Sequence, residues 1–519
     1  MPHSRRSVRI LLTASEAYPA LERAFLAAQT EIWASFMVFD LQTRLRSPEA
    51  LAIGKTWFDL IVHVLNKGVA LNVVISDVDP IARAEMHRAA TRHLRLFSAA
   101  AAVANPGAKL KILRPCHPAE TGALVRLCIW PYVMKKLFRL SGWLNNLAPD
   151  HRAAALRDMD GAVRNLRLRK DGTVGIRLWS LPRLFPVVHH QKLAVIDRRL
   201  LYIGGLDLNE RRYDTPNHRR AGDQTWHDVQ LMIEGPVVAE AQDHLETFQD
   251  VIEGRKQPTK TRRLLRTLSL PSRHSLWNFG PKPFISELQT AHRILAQRSR
   301  QLIYMESQYF RDVRLARVLA EAARRSPGLN LILILPAAPD DVAFEGKKAL
   351  DARYGEAMQA RSLRIIRKAF GSRLFVGSPA QPRPALPDGK DDANGRSTLH
   401  GAPLVYVHSK VSVFDQDAAI VSSANLNGRS LRWDTEAGVY LSAKNDVIEL
   451  RYRTMAHWLP ADIGPDAFED ATAAKVWAQL AWQNAGKPPS QRRGFLLPHD
   501  FAAAEAFGRE LPILPPEFV

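Results

Sequence analysis

The feature that most limits how this chain can fold is an internal match at one fixed spacing. His190, Lys192 and Asp197 stand at relative positions 0, 2 and 7, and His408, Lys410 and Asp415 repeat that register. Seven residues beyond each aspartate a pair of small residues begins, Gly204-Gly205 in the first copy and Ser422-Ser423 in the second. A polar residue follows two places after each pair, Asp207 and then Asn425. All these positions share an offset of 218 residues. A lone His-x-Lys carries no information, whereas a register kept over so many positions marks two related structural units.

The flanks of both copies, Val188–Ile196 and Val405–Phe414, are rich in Val, Ile, Leu and Tyr and read as strands, on which residues two apart share a face. His190 and Lys192 therefore point one way, as do His408 and Lys410. The small pairs leave room for a close approach of backbone or ligand. Upstream of each copy the order helix, strand, helix, strand recurs. In the first half it runs Ala17–Glu31, Ile32–Phe39, Trp57–Asn66 and Ala70–Ile75; in the second, Ile285–Gln297, Gln301–Met305, Val313–Arg325 and Leu329–Leu335. This order predicts an α/β fold with parallel or mixed sheets covered by helices. We divide the chain into a first half at 1–253, a basic, proline-containing linker at 254–283, a second half at 284–455 and a C-terminal extension at 456–519. The linker carries Arg255, Lys256, Lys260, Arg262, Arg263, Arg266 and Arg273, and the extension a helical run at Ala471–Trp482. Pro379–Arg396 reads as a surface loop.

Two histidines and two lysines meeting in one cleft suit attack on a phosphodiester. The lysines bind the non-bridging oxygens and stabilise charge in transfer. One histidine attacks phosphorus; the other protonates the departing alcohol and then takes a proton from water. This chemistry requires no metal or other cofactor. Lys plus Arg exceed Asp plus Glu by 20, so anionic partners are favoured: nucleic acid, an anionic membrane surface or phosphate esters. The two cysteines, Cys116 and Cys128, are read as free buried thiols and form no disulfide framework. Neither a long apolar stretch nor a secretion signal is evident, which points to a cytoplasmic or peripheral membrane protein, with export left open. Gly54-Lys55-Thr56 lacks the first glycine of a phosphate-binding loop, and Asp77 and Asp79 read as polar residues at a strand end rather than magnesium ligands. Leu127–Leu144 has two readings: an interfacial element on anionic lipid, or a helix packed on the body with solvated lysines. Trp130, Trp143, Trp277 and Phe279 likewise either border an acyl site or simply pack.

The motif His-x-Lys-x4-Asp is the defining one of the phospholipase D superfamily, which the chain resembles from about residue 10 to about residue 450. The carriers are HHQKLAVIDRRLLYIGGLDLNERRYD at 189–214, HSKVSVFDQDAAIVSSANLNGRS at 408–430, Thr225-Trp226-His227-Asp228-Val229 and Tyr304–Phe310. Ser307 and Ser422 depart from the usual Asn and Gly. The resemblance implies two pseudo-symmetric halves, each a mixed sheet flanked by helices, with the active site at their interface. It implies that His190 is the nucleophile and His408 the acid–base. Lys192, Lys410, Asn425 and Asp207 would then line the phosphate pocket, and Asp197 and Asp415 would be buried supporting aspartates. Glu436 and Asp228 would orient the histidines, with Asp223 and Asp214 weaker candidates for the same task. The implied activity is hydrolysis of glycerophospholipid at a membrane or micelle surface, with transfer to alcohols as a side route and no oligomer needed to complete the site. A cardiolipin-synthase-like phosphatidyltransferase and a metal-independent nuclease are the alternatives.

Overall fold

A computed structural model describes residues 7–272, 276–346, 348–386, 395–511 and 514–519. The first half is built on a seven-stranded sheet. Its strands are β1 (Val8–Leu12), β2 (Glu31–Phe36), β3 (Ala70–Ile75), β4 (Leu110–Leu113), β5 (Leu193–Ile196), β6 (Leu200–Gly204) and β7 (Val229–Glu234). They lie in the order β1-β7-β6-β5-β2-β3-β4. The second half adds β8 (Leu264–Leu270), β9 (Lys282–Ser286), β10 (Leu302–Glu306), β11 (Asn330–Ile334), β12 (Leu374–Pro379), β13 (Val411–Phe414), β14 (Ala418–Ser422), β15 (Glu436–Leu441) and β16 (Leu496–Pro498). Their order is β9-β8-β15-β14-β13-β10-β11-β12-β16. Leaving aside the edge strands β9 and β16, the two orders are identical, and so are the strand directions. The pairs β2/β3, β3/β4, β10/β11 and β11/β12 are parallel and the remaining pairs antiparallel. Register repeats as well: Leu193 opposes Ile203, and Val411 opposes Val421.

Each sheet buries its outer face under helices. Thr13–Ala27, Trp57–Asn66 and Ala84–Val103 cover the first, around Phe25, Phe39, Trp57 and Phe97. Glu287–Arg298, Val313–Arg325 and Leu350–Phe370 cover the second. The inner faces meet in one shared core that runs from Leu193, Val195 and Ile203 to Tyr304, Val411 and Val439. Both motif-bearing hairpins are therefore clamped in the middle of the molecule.

Several elements differ from the sequence-based expectation. Helix 57–66, strand 70–75 and helix 313–325 stand where predicted, but the first helix begins at Thr13 and ends at Ala27, before β2. The strands predicted at 188–196 and 405–414 are regular only over 193–196 and 411–414. Their leading residues pair with the opposite half instead of a sheet neighbour, through the bridges His189↔Thr435 and His227↔Val407. The segment 254–283 is not simply a linker. It contributes β8 and β9 to the second sheet, and Arg266 is buried against Glu287 rather than solvated. Arg273 lies outside the described residues, as do 387–394 of the predicted loop. The described residues of 456–519 are likewise part of the second half: β16 pairs with β12, and Trp458 and Trp477 are buried in the shared core. Cys128 is exposed rather than buried, and both thiols are free. Asp77 accepts from His87 and Arg114, and Asp79 from the backbone of Ile81, Ala82 and Phe185.

Because Trp477 fills the shared core, Trp477→Ala should cost about 3–5 kcal/mol in urea unfolding. An unchanged midpoint would mean that 456–519 is a dispensable appendage.

Candidate active site

Where the chain leaves the sheets, two extended segments from each half cross to the other. The His190 amide donates to Thr435 O at 2.8 Å and the Thr435 amide to Val188 O at 3.0 Å. The equivalent exchange in the other direction has the His408 amide donating to His227 O at 2.8 Å and the His227 amide to Tyr406 O at 2.8 Å. Backbone hydrogen bonds of this sort fix the next side chain in each segment. Those next side chains are the two carboxylates. His190 Nδ1 lies 3.0 Å from Glu436 Oε1, and His408 Nδ1 lies 2.6 Å from Asp228 Oδ2. The pairing is crossed: each half supplies a histidine to the carboxylate of the other. A carboxylate at Nδ1 selects the tautomer with its proton there and leaves Nε2 with a lone pair.

The lysines are held in the same symmetric manner. Lys192 Nζ donates to His190 O and Lys410 Nζ to His408 O. Lys192 lies 3.5 Å from Asp207 Oδ2, whose other oxygen accepts from the Val38 amide at 2.9 Å. Asn425, at the position equivalent to Asp207, donates to Gln308 Oε1 at 3.1 Å. The lysines, Asp207, Asp228, Glu436, Asn425 and His408 are buried, the His408 side chain retaining 6% exposure, whereas His190 is half-buried with its side chain 15% exposed.

Burial sets the electrostatics. It pushes both imidazoles well below their ordinary value, with Lys192 and Lys410 deepening the effect on His190, and Lys410 and Arg212 on His408. Burial raises Asp228 and Glu436 to about 7 and lowers Lys410 to about 7. It would raise Asp207 too, but Lys192 and Arg212 outweigh it and hold that carboxyl below its usual range. The result is two neutral imidazoles, each hydrogen-bonded to a carboxylate, beside two lysines whose ammonium forms burial disfavours and a bound anion would favour.

The small pairs have a specific use. A Cβ on Gly205 would sit 2.3 Å from Asp228 Oδ1, so only glycine admits that carboxylate. Its counterpart Ser423 instead turns its hydroxyl to Glu436 Oε2 and accepts from the Ala437 amide at 3.2 Å. A Cβ on Gly204 would meet Gln230 Oε1 at 2.0 Å, whereas Ser422 is accommodated because Gly438 stands opposite it; a Cβ there would lie 2.4 Å from that of Ser422. The serine that departs from the family pattern is thus matched by a glycine across the ladder.

Not every predicted site residue comes here. Asp197 and Asp415 sit at the far ends of β5 and β13, partly exposed, in left-handed turns with φ of 51° and 52°. Asp197 accepts from the amides of Gln29, Thr30 and Glu31, and Asp415 from those of Arg300, Gln301 and Leu302. They tie each motif strand to β2 or β10 and do not reach the histidines, which corrects their reading as buried members of the site. Asp214 pairs with His218 at 2.6 Å rather than with either motif histidine. Two residues that sequence reasoning did not assign a role are Trp226, whose ring lies 4.5 Å from that of His408, and Arg212, which stacks on Trp226 and approaches Asp207. Their place in the same segments as Asp207 and Asp228 was the available signal.

Behind Asp228, His218, His227 and His457 form the one group among the described residues with metal-like spacing. His218 Nε2 and His457 Nε2 are 2.9 Å apart, a hydrogen bond; two nitrogens on a tetrahedral zinc stand roughly 3.3 Å apart. His227 Nε2 in turn faces Glu306 at 3.3 Å. We read the cluster as a hydrogen-bonded buttress for the Asp228 segment.

A family model described as "Cardiolipin synthase, PLD-like domain" matches residues 293–458. Phospholipase D1 of Schizosaccharomyces pombe is 23% identical over 335 residues, covering 47% of this chain and 24% of its own. Phospholipase D alpha 1 of Arabidopsis thaliana is 20% identical over 355 residues, covering 47% and 44%. The chain thus spans less than half the length of these curated relatives. The solved phosphatidylserine synthase of Haemophilus influenzae superposes with a TM-score of 0.44 at 13% identity, covering 93% of this chain and 94% of that one. With two complete motifs, one in each half of a duplicated sheet, a match to a PLD-like domain over residues 293–458 and curated relatives named as phospholipases D, the chain is similar to the phospholipase D superfamily.

Proposed function

We propose that the protein cleaves glycerophospholipids such as phosphatidylcholine to phosphatidic acid and the head-group alcohol, through a covalent phosphohistidine. The observation that carries this reading is the crossed pairing of His190 with Glu436 and His408 with Asp228 around two buried lysines. In the first step His190 Nε2 attacks phosphorus while Lys192, Lys410 and Asn425 bind the non-bridging oxygens. The incoming anion favours the imidazolium of His408, which Asp228 stabilises, and His408 gives its proton to the departing alcohol oxygen. In the second step His408 takes a proton from water, the hydroxide oxygen bonds to phosphorus, and the P–N bond breaks to free His190. No step calls on a metal or other cofactor. Asp207 acts by holding Lys192, and the pairing of roles between the two histidines follows the family order.

The lipid reading is supported by the names of the curated relatives and by the motif context around His189-His190 and Tyr304–Phe310. The cardiolipin-synthase description of the matching family model favours one second reading, in which an alcohol replaces water in the second step. Incubation with phosphatidylcholine and ethanol separates the two: phosphatidic acid marks hydrolysis, and phosphatidylethanol marks transfer. An oligonucleotide panel run beside it should show no cleavage, and cleavage of DNA alone would reverse the substrate assignment.

With a phosphatidyl-p-nitrophenol substrate, whose leaving group needs no proton, His408→Ala should still release a burst of p-nitrophenol. His190→Ala should release none. A burst from the His190 variant instead would exchange the two roles.

Glu436→Gln should lower turnover roughly 10²–10⁴-fold while leaving inhibition by inorganic phosphate within a few-fold of wild type. Its stability should move the other way. Glu436 keeps its proton up to about 7 in the folded protein against an ordinary 4.5, so ionising it costs stability above 7, and the cost fades as pH falls toward 4.5. The Gln variant should be more stable by on the order of 2–3 kcal/mol at pH 8, with the gain shrinking toward zero near pH 5. Full activity in this variant would remove the positioning role.

A further inference from the structure

The first half carries a large insertion between β4 and β5 for which the described residues of the second half have no equivalent. Its central helix, Trp130–Asn145, buries Val133, Met134, Leu137, Leu140 and Leu144 in a local core. The opposite face of a helix packed in this way is ordinarily charged. Here it presents Tyr132, Phe138 and Trp143, with Phe138 58% exposed, interleaved with Lys135 and Arg139. Two further segments are fastened beside the start of this helix. Arg126 Nη1 donates to Leu181 O at 3.3 Å and Pro182 O at 3.0 Å, and Trp130 Nε1 to Ser180 O at 3.4 Å, which fixes a strap holding Leu178 and the 98% exposed Trp179. The Leu124 amide donates to Leu276 O at 3.0 Å, which places Leu276 and the 66% exposed Trp277 alongside.

From these observations we propose that the face formed by the 130–145 helix, the 178–181 strap and residues 276–277 docks the protein on an anionic lipid bilayer. The inference rests on the phospholipid reading above and deepens it. Aromatic side chains mixed with lysine and arginine are what the interfacial zone of a membrane accepts. Charge supports the same occupant: no acidic residue occurs between Glu120 and Asp150, or between Asp171 and Asp197. Lys135, Lys136, Arg139 and Arg177 are therefore charged groups these stretches add beside the aromatics, and the carboxylates whose charge reaches Tyr132, Asp351 and Asp79, come from other segments. A second copy seated on this face would meet like charge from a chain of net charge +20. Position supports it too. The strap runs on through Val187, packed on Trp433, and Val188, whose amide donates to Asp434 at 2.9 Å, straight into His190. A bilayer touching Trp179 would meet the same segment that carries His190, eleven residues ahead of it in sequence.

Flotation of the full-length protein with phosphatidylcholine vesicles, with and without added phosphatidylserine, tests this. Wild type should bind better when phosphatidylserine is present, and added salt should weaken that binding. The variant F138A/W179A/W277A should lose roughly tenfold or more of its vesicle partitioning. It should lose vesicle hydrolysis in step, yet keep turnover of a dissolved p-nitrophenyl phosphodiester. The milder K135Q/K136Q/R139Q, which leaves all apolar contacts in place, should lose the preference for phosphatidylserine. Wild-type flotation by either variant, or a preference unaffected by charge, overturns the proposal. So does a single-stranded oligonucleotide that binds wild type and not F138A/W179A/W277A, since the face would then serve nucleic acid. If wild type binds vesicles through these residues but hydrolyses no phospholipid, the docking surface stands and the proposed function falls.

Discussion

The site depends on a pair of imidazole–carboxylate hydrogen bonds that cross the seam between the halves. Neither half contains a complete acid–base unit, because Asp228 serves His408 and Glu436 serves His190. Each carboxylate is delivered by an edge of backbone pairing between Thr435 and residues 188–190, or between His227 and residues 406–408. The seam is thus not a surface where two finished domains meet but the place where both sites' worth of parts are exchanged. This explains why the shared hydrophobic core lies between the two sheets, where it fixes their separation.

Concentrating two lysines, two carboxylates and two histidines away from water is costly in isolation. The arrangement lowers that cost by placing opposite charges in mutual reach and by letting protonation adjust: imidazoles neutral, Asp228, Glu436 and Lys410 all drawn toward neutrality. What remains unsatisfied is a need for negative charge near the lysines. An anion bound there would meet that need, and in the proposed mechanism its binding and the protonation of His408 reinforce each other.

The duplicated motif was legible because the hairpins β5–β6 and β13–β14 are the same length, which preserves the 218-residue offset from His190 to Asp207. The crossing was not legible. Asp228 stands twenty-three residues beyond Gly205, but Glu436 only thirteen beyond Ser423, so a search at one offset aligns neither carboxylate with the other. The additional residues carry Arg212, Asp214 and His218, which only the fold brings beside Trp226. Local pattern also overstated the motif strands, since an extended segment bonding to another half looks in sequence like one bonding to its own sheet. It understated 264–270, where a run of basic residues nearby concealed a strand whose Arg266 is neutralised by Glu287. The aspartates of the motif were read as members of the site because they are part of its signature. Their structural task, tying down backbone amides a full strand away, is equally specific and leaves the same mark in sequence.

The exchange of Gly204 and Gln230 in one half for Ser422 and Gly438 in the other has an evolutionary corollary. The two positions occupy a single volume, so each half tolerates one bulky partner and not two. Drift from one arrangement to the other by single substitutions must pass through a clash or a void, and the two halves are therefore locked into separate, epistatic solutions. A hybrid hairpin made by copying only the short motif from one half into the other would inherit half of such a pair.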